Sequence, residues 1–163
     1  MSPNESPYAF VTLLAPNPLH DNVTIADDED EYFVATRVLA YQLLHAPETA
    51  TNSSIPFVVF CTPAILKSQL DMLRQDGATV KVIERITESW MKPGLRRWRD
   101  MMSKLWIFEM TQHEKVLFLD SEMYVNKRMD GIFTDETTKP LPVNQTLAVE
   151  DEGTIPESYI FSA

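Results

Sequence analysis

The sequence predicts an α/β fold, and two observations carry this prediction. Short apolar runs alternate with amphipathic segments over most of the chain. Strands that alternate with helices in this way are typical of a parallel sheet covered by layers of helices. Residues 116–119 are apolar throughout, as expected of a strand buried on both faces. We therefore expect a mainly parallel central sheet.

The first part of the chain predicts two strands with a helix between them. Tyr8–Leu14 is an apolar run that is followed by Pro16. Acidic residues at positions 27–31 would stabilise the amino end of a helix that extends to about His45. Residues 56–61 predict the second strand. The apolar face expected on this helix holds Val34, Val38 and Tyr41, with Ala35 and Leu39 beside them.

The following part predicts two further helices and the remaining strands. Pro63 favours the first turn of a helix that continues to Arg74, and Gly77 lies just beyond its end. Residues 79–83 predict the third strand, ahead of the fourth at 116–119. After Phe133 prolines and polar residues dominate, with no clear periodicity. The face that we expect the third helix to bury holds Met102, Leu105, Trp106 and Met110.

Composition limits the classes of partner and the cellular compartment that we expect for this protein. The formal net charge of -10 repels nucleic acid and anionic lipid on average, so we expect neither as a partner. We find no signal peptide and no apolar stretch long enough for a membrane span, which favours a cytoplasmic protein. A secretory or Golgi location stays open if an amino-terminal anchor is missing. We expect residues 1–7 to be a flexible terminus and 8–163 to form one domain.

The strongest chemical signal is the acid pair in Asp120-Ser121-Glu122, directly after the buried strand at 116–119. Open α/β sheets bind ligands at the carboxyl ends of their strands. Two carboxylates one residue apart can face a hard divalent cation such as Mn²⁺ or Mg²⁺, which bridges diphosphates. Two other interpretations stay open. One is a turn with two solvated acids, and the other is a phosphatase of the haloacid-dehalogenase kind, whose motif has Asp where Glu122 stands.

The residues around the acid pair resemble glycosyltransferase family 8, which contains glycogenin and galactinol synthase. The match before the strand is Ser103-Lys104-Leu105, and the match after it is Asn126 with Asp130 and Phe133. Residues 9–13 resemble the first strand of the family, and Tyr32 falls where a family tyrosine stacks on uracil. The resemblance spans positions 8 to about 133.

This resemblance implies a GT-A nucleotide-diphospho-sugar transferase fold that transfers a hexose from a UDP-sugar donor with retention. It implies Mn²⁺ as cofactor and an acceptor that is a carbohydrate, a polyol or a protein. It assigns metal binding to Asp120 and Glu122, and it assigns no catalytic nucleophile or base. Arg96, Arg97 and Arg99 would add positive potential near the diphosphate, and for at least two of them a plain solvated basic turn is the favoured alternative. The nucleotide-sugar site that it implies consists of Thr12, Leu13, Tyr32, Lys104, Asp120 and Ser121.

Two departures from the family pattern bear on activity. Glu122 stands in place of an Asp, which we expect to weaken metal binding, and no histidine follows it to complete the metal site. We therefore expect a fold that is incomplete at its carboxyl end, is marginally stable and transfers no sugar. Uncovered strands and a free sheet edge favour association, so a homo-oligomer stays open. The alternative from another class is a non-catalytic nucleotide-sugar-binding or interaction module.

Overall fold

A computed structural model describes residues 6–16, 30–86, 100–143 and 157–159 of the chain. These belong to two compact units, Met1–Arg128 and Met129–Ala163, each of which we describe by itself. The elements of the first unit, in chain order, are β1 (Tyr8–Leu14), α1 (Glu31–Leu44), β2 (Phe57–Cys61), α2 (Lys67–Gln75), β3 (Thr79–Val82), a 3₁₀ helix (Met101–Glu109) and β4 (Lys115–Phe118).

The described strands of this unit form one parallel sheet in the order β3-β2-β1-β4, which confirms the predicted α/β class and parallel sheet. In β1, Phe10 lies opposite Phe57 of β2 on one side and opposite Leu117 of β4 on the other. The chain therefore moves outward from β1 to β3 and then returns to the far side of β1. In doubly wound sheets ligands bind where the strand order reverses in this way. That place is here the carboxyl end of the β1–β4 pair.

The sheet buries apolar side chains on both faces. On one face, a core cluster that includes Val11, Val58 and Phe60 packs with Met110 and with the partly buried Trp106, so Trp106 belongs to the core as expected. The alternate residues of the strands, such as Phe10 and Val59, point to the opposite face and are also fully buried. Right-handed crossovers place α1 and α2 together on that face.

Helix α1 begins where the acidic run predicts it, but it buries a different face. The side chain of Asp30 accepts a hydrogen bond from the backbone N–H of Phe33 at 3.2 Å, which caps the helix. Positions 27–29 of the acidic run lie outside the described residues. The apolar face predicted from Val34, Val38 and Tyr41 is wrong, since these side chains are exposed. The helix instead buries Phe33, Thr36, Leu39, Ala40, Gln42 and Leu43.

Helix α2 begins four positions later than its proline predicts. Residues 63–65 form a turn, in which the N–H of Ile65 donates to the carbonyl of Thr62 at 3.1 Å. The side chain of Gln69 accepts a hydrogen bond from the N–H of Leu66 at 3.3 Å and so defines the helix start. The predicted end is confirmed, because Gly77 has a φ of 93°, in the left-handed region where helices commonly stop.

The third predicted helix is a 3₁₀ helix, Met101–Glu109, called the 101–109 helix below. Side chains three positions apart lie on the same face of a 3₁₀ helix, so Met102 and Leu105 share one face and Trp106 lies on the next. The face of Met102 and Leu105, which we predicted to be buried, is exposed, whereas Met110 is buried just beyond the helix end. The prediction of a buried face is thus wrong for its first two members.

The second unit contains short elements that the sequence pattern does not predict. Two 3₁₀ turns, Asp130–Phe133 and Glu136–Thr138, precede an antiparallel pair of two-residue strands, β5 (Leu141–Pro142) and β6 (Ser158–Tyr159). Strands this short carry no periodicity that a sequence reading can detect. Across the described parts of both units, no helix has the length and apolar character needed to cross a membrane.

Candidate functional site

A cleft of about 140 Å³ lies at the carboxyl ends of β1 and β4. Leu13, Ala15 and Pro16 line it from the end of β1, and the acid turn Asp120-Ser121-Glu122 lines it from the end of β4. The remaining walls come from the start of α1 and from the 101–109 helix with the residue before it. Those walls consist of Tyr32, Asp100, Met101 and Lys104.

This cleft brings together nearly all of the site residues predicted from the sequence. They are Leu13, Tyr32, Lys104, Asp120, Ser121 and Glu122. Thr12 is the exception. Its side chain is completely buried within the sheet, it does not line the cleft, and its hydroxyl has no hydrogen-bond partner among the described residues. Neighbouring residues of a strand point to opposite faces, so Thr12 and Leu13 cannot contact the same ligand through their side chains.

The ion pair of Lys104 with Asp120 is the main electrostatic feature of the cleft. The Nζ atom of Lys104 lies 2.5 Å from Oδ1 of Asp120 and 5.1 Å from the ring centroid of Phe118, the last residue of β4. The Asp120 side chain is 58% exposed and that of Lys104 is 34% exposed. Ion pairs exposed to this degree contribute only about 0–1 kcal/mol. The lysine can therefore exchange partners at little cost.

The acid turn can supply two ligands to a divalent cation. Within the described ranges there is no group of three or more His, Cys, Asp or Glu side chains that could hold a metal. Two carboxylates fit a hard cation if phosphate oxygens and water complete its shell. Of the histidines, His45 contacts the carbonyl of Asp76 and His113 contacts that of Ser6, so neither reaches the cleft. His20 lies outside the described residues.

Sequence reasoning missed the ion pair of Arg85 with Asp100. The Nε atom of Arg85 donates to Oδ1 of Asp100, whose side chain is only 10% exposed. Nearby, the indole N–H of Trp106 donates to the carbonyl of Glu84 at 2.8 Å. These contacts fix the 101–109 helix, and with it Lys104, to the segment that follows β3. No motif marks this pair, because it forms only when the end of β3 meets the helix start.

The contact of Gln42 with Val125, just after the acid turn, is a second feature that the sequence analysis did not predict. The side-chain amide of Gln42, on α1, donates to the carbonyl of Val125 at 3.3 Å and accepts from its N–H at 3.2 Å. Both residues are buried. Gln42 therefore holds the segment after the acid turn against α1. The arginines predicted to add positive potential, Arg96, Arg97 and Arg99, lie outside the described residues.

A larger cavity, of about 510 Å³, lies at the opposite, amino ends of the strands. Lys81 and His113 line it together with hydroxyl, amide and apolar side chains, and no carboxylate of the described residues does. The cavity at the amino ends has the larger volume, whereas the position of the smaller cleft at the carboxyl ends of the strands is the one expected for a ligand site. We take the cleft as the candidate functional site, because parallel sheets bind ligands at their carboxyl ends and the charged residues converge there.

Comparison with known proteins adds relatives whose names do not state a function. No family model matches the chain. It is similar to two proteins of Schizosaccharomyces pombe, both described as uncharacterized, with 41% identity over 113 residues and 35% identity over 114 residues. Each match covers 65% of this chain and 30% of the relative. The chain thus matches less than a third of the length of these relatives.

Proposed function

We propose that this chain binds a UDP-sugar in the cleft between β1 and β4 and forms the donor-binding part of a GT-A glycosyltransferase similar to family 8. One observation carries the proposal. An aromatic ring, a lysine and the two carboxylates of the acid turn line one cleft at the point where the strand order reverses. Nucleotide sugars present the complementary groups, which are a flat base and a diphosphate.

Each cleft residue has a role in this proposal. Tyr32 stacks on the uracil, while Leu13 contacts the nucleotide at the end of β1. Lys104 pairs with the diphosphate. Asp120 and Glu122 hold a divalent cation, Mn²⁺ or Mg²⁺, and Ser121 shapes the turn between them. Such a cation, when bound, neutralises the negative charge that develops on the leaving diphosphate.

The proposed reaction is transfer of a hexose, with retention, to a carbohydrate, polyol or protein acceptor. A second candidate is a module that binds nucleotide sugars without transferring them. It is favoured by the lack, in the described part of the chain, of a third protein ligand for the metal. Phosphate release from simple phosphate esters would instead support the phosphatase interpretation of the acid turn.

The uracil assignment is tested by calorimetry with UDP, ADP and GDP. We expect UDP to bind more tightly than the other two nucleotides, and Tyr32→Ala to remove this preference. Stacking of a base on an aromatic side chain contributes about 1–3 kcal/mol, so the substitution should weaken UDP binding by about fivefold or more. Tyr41→Ala is the matched control, since Tyr41 is an exposed residue of the same helix outside the cleft. Equal affinities for the three nucleotides would contradict the assignment.

The metal assignment is tested by measuring UDP affinity with and without Mn²⁺. We expect Mn²⁺ to strengthen binding, Asp120→Asn to abolish this effect, and Glu122→Asp to preserve or improve it. Asp71→Asn removes the same charge from α2, where Asp71 pairs with Lys67, and should leave the Mn²⁺ effect intact. If Asp120→Asn retains the full Mn²⁺ dependence, the metal site lies elsewhere.

A further inference from the structure

Lys104 forms an ion pair with Asp120, one of the two carboxylates that the proposed metal requires. Its ammonium group contacts Asp120 directly, and among the described residues the other acidic side chains that line the cleft are Asp100 and Glu122. Asp100 already accepts a hydrogen bond from Arg85. Asp120 is therefore the carboxylate at which the lysine and a divalent cation would meet.

The lysine has a second position within its reach. Its ammonium nitrogen lies 5.1 Å from the centroid of the Phe118 ring, and its flexible four-carbon chain lets this group turn away from Asp120 into the cleft. A diphosphate seated in the cleft would offer that ammonium group a stronger partner than one exposed carboxylate. The same movement would release both oxygens of Asp120.

We propose that Lys104 and the divalent cation compete for Asp120, and that the diphosphate of the nucleotide relieves this competition by taking over the lysine. This inference rests on the proposed function. It makes the cation and the nucleotide bind cooperatively, because each favours the arrangement in which Lys104 has left Asp120. By linkage, the factor by which UDP strengthens Mn²⁺ binding equals the factor by which Mn²⁺ strengthens UDP binding.

The experiment measures binding of Mn²⁺ alone, from the electron paramagnetic resonance signal of the free ion, and then binding in the presence of UDP. We expect Lys104→Met to bind Mn²⁺ alone more tightly than the natural chain, by about 1.4- to fivefold, the range that corresponds to loss of an exposed ion pair. We also expect UDP to strengthen Mn²⁺ binding by a smaller factor in Lys104→Met than in the natural chain. Lys104→Arg keeps the charge and should retain most of the competition.

Lys67→Met is the matched control, because it removes the same charge from an exposed ion pair on α2. If both lysine-to-methionine variants gain equal Mn²⁺ affinity, only net charge matters and the competition is refuted. Absence of Mn²⁺ binding in every variant also refutes it. In an Asp120→Asn background, Lys104→Met should have no effect, and a persistent gain would contradict the role of Asp120.

A separate outcome distinguishes this inference from the proposed function. If Lys104→Met tightens Mn²⁺ binding but UDP binds to no variant, the competition for Asp120 stands. The relief by nucleotide and the proposed function then both fail. If UDP binds with Mn²⁺ but Lys104→Met leaves binding of Mn²⁺ alone unchanged, the proposed function stands and the competition fails.

Discussion

At the residue scale, Cys61 shows how burial determines reactivity in this protein. It is the last residue of β2 and has no exposed surface, and burial raises the pKa of its thiol from 9.0 to about 12. The thiolate is the nucleophilic form of cysteine, so a buried neutral thiol is chemically inert. In the sequence Cys61 ends an apolar run, a position typical of a buried cysteine.

The raised pKa of Cys61 gives a prediction for stability at alkaline pH. The folded chain keeps the thiol proton at pH values where the unfolded chain loses it. The resulting stability is therefore fully present below about pH 9 and is lost as the pH rises towards about 12. We expect the free energy of unfolding, from urea titrations, to fall less steeply over this range in Cys61→Ala than in the natural chain. Parallel pH profiles for the two chains would contradict this account.

The site residues divide into those that sequence can predict and those that it cannot. Asp120 and Glu122 are predictable because they directly follow a buried strand, and strand ends are where parallel sheets bind ligands. The pairing of Arg85 with Asp100 is not, because it depends on how two distant segments meet. Strand alternation could have separated Leu13 from Thr12, since only one of two neighbouring residues can face the cleft.

At the element scale, α1 and the segment after β4 act together through Gln42. Its amide satisfies both backbone groups of Val125, three positions beyond Glu122. The two hydrogen bonds are buried and join segments that are 83 positions apart. The position of the acid turn therefore depends on a helix that contributes Tyr32 to the same cleft.

Replacing Gln42 by leucine tests this dependence. The substitution keeps a similar volume but leaves the N–H and C=O of Val125 without partners, which should cost about 1–3 kcal/mol for each buried group. We expect Gln42→Leu to lower the free energy of unfolding and to weaken the effect of Mn²⁺ on UDP affinity. Gln75→Leu, at the exposed end of α2, is the control. Gln42 has no positioning role if its variant loses stability while the Mn²⁺ effect stays unchanged.

The strands were more predictable than the helices. Runs such as Tyr8–Leu14 are apolar and bounded by prolines, so their limits are visible in the sequence. Helix α1 carries apolar residues almost all the way round, so periodicity alone cannot identify the face that packs on the sheet. The 101–109 helix is a 3₁₀ helix, and the contact of Asp100 with Arg85 next to its start joins segments that are 15 positions apart, which local periodicity cannot reveal.

At the scale of the whole molecule, strand order is the basis on which the candidate site is chosen. In the sheet order β3-β2-β1-β4, the chain runs from β1 out to β3 and then returns to β4 on the other side of β1. The charged cleft lies at the carboxyl ends of the neighbouring strands β1 and β4. The net charge of -10 repels an anionic nucleotide on average. Positive charges at the binding site must therefore offset this repulsion. The sequence predicted the parallel sheet and the acid turn at the carboxyl end of its fourth strand, but it did not predict the small antiparallel pair of β5 and β6.

The most direct test of the central claim, that the carboxyl-end cleft binds the nucleotide, is a nuclear magnetic resonance titration of the ¹⁵N-labelled chain with UDP and Mg²⁺. We expect the largest backbone shifts at the cleft, in Leu13, Tyr32, Lys104 and the acid turn, and little change around Lys81 and His113. Shifts centred on Lys81 and His113, in the larger cavity at the amino ends, would contradict the account. So would a spectrum that UDP leaves unchanged.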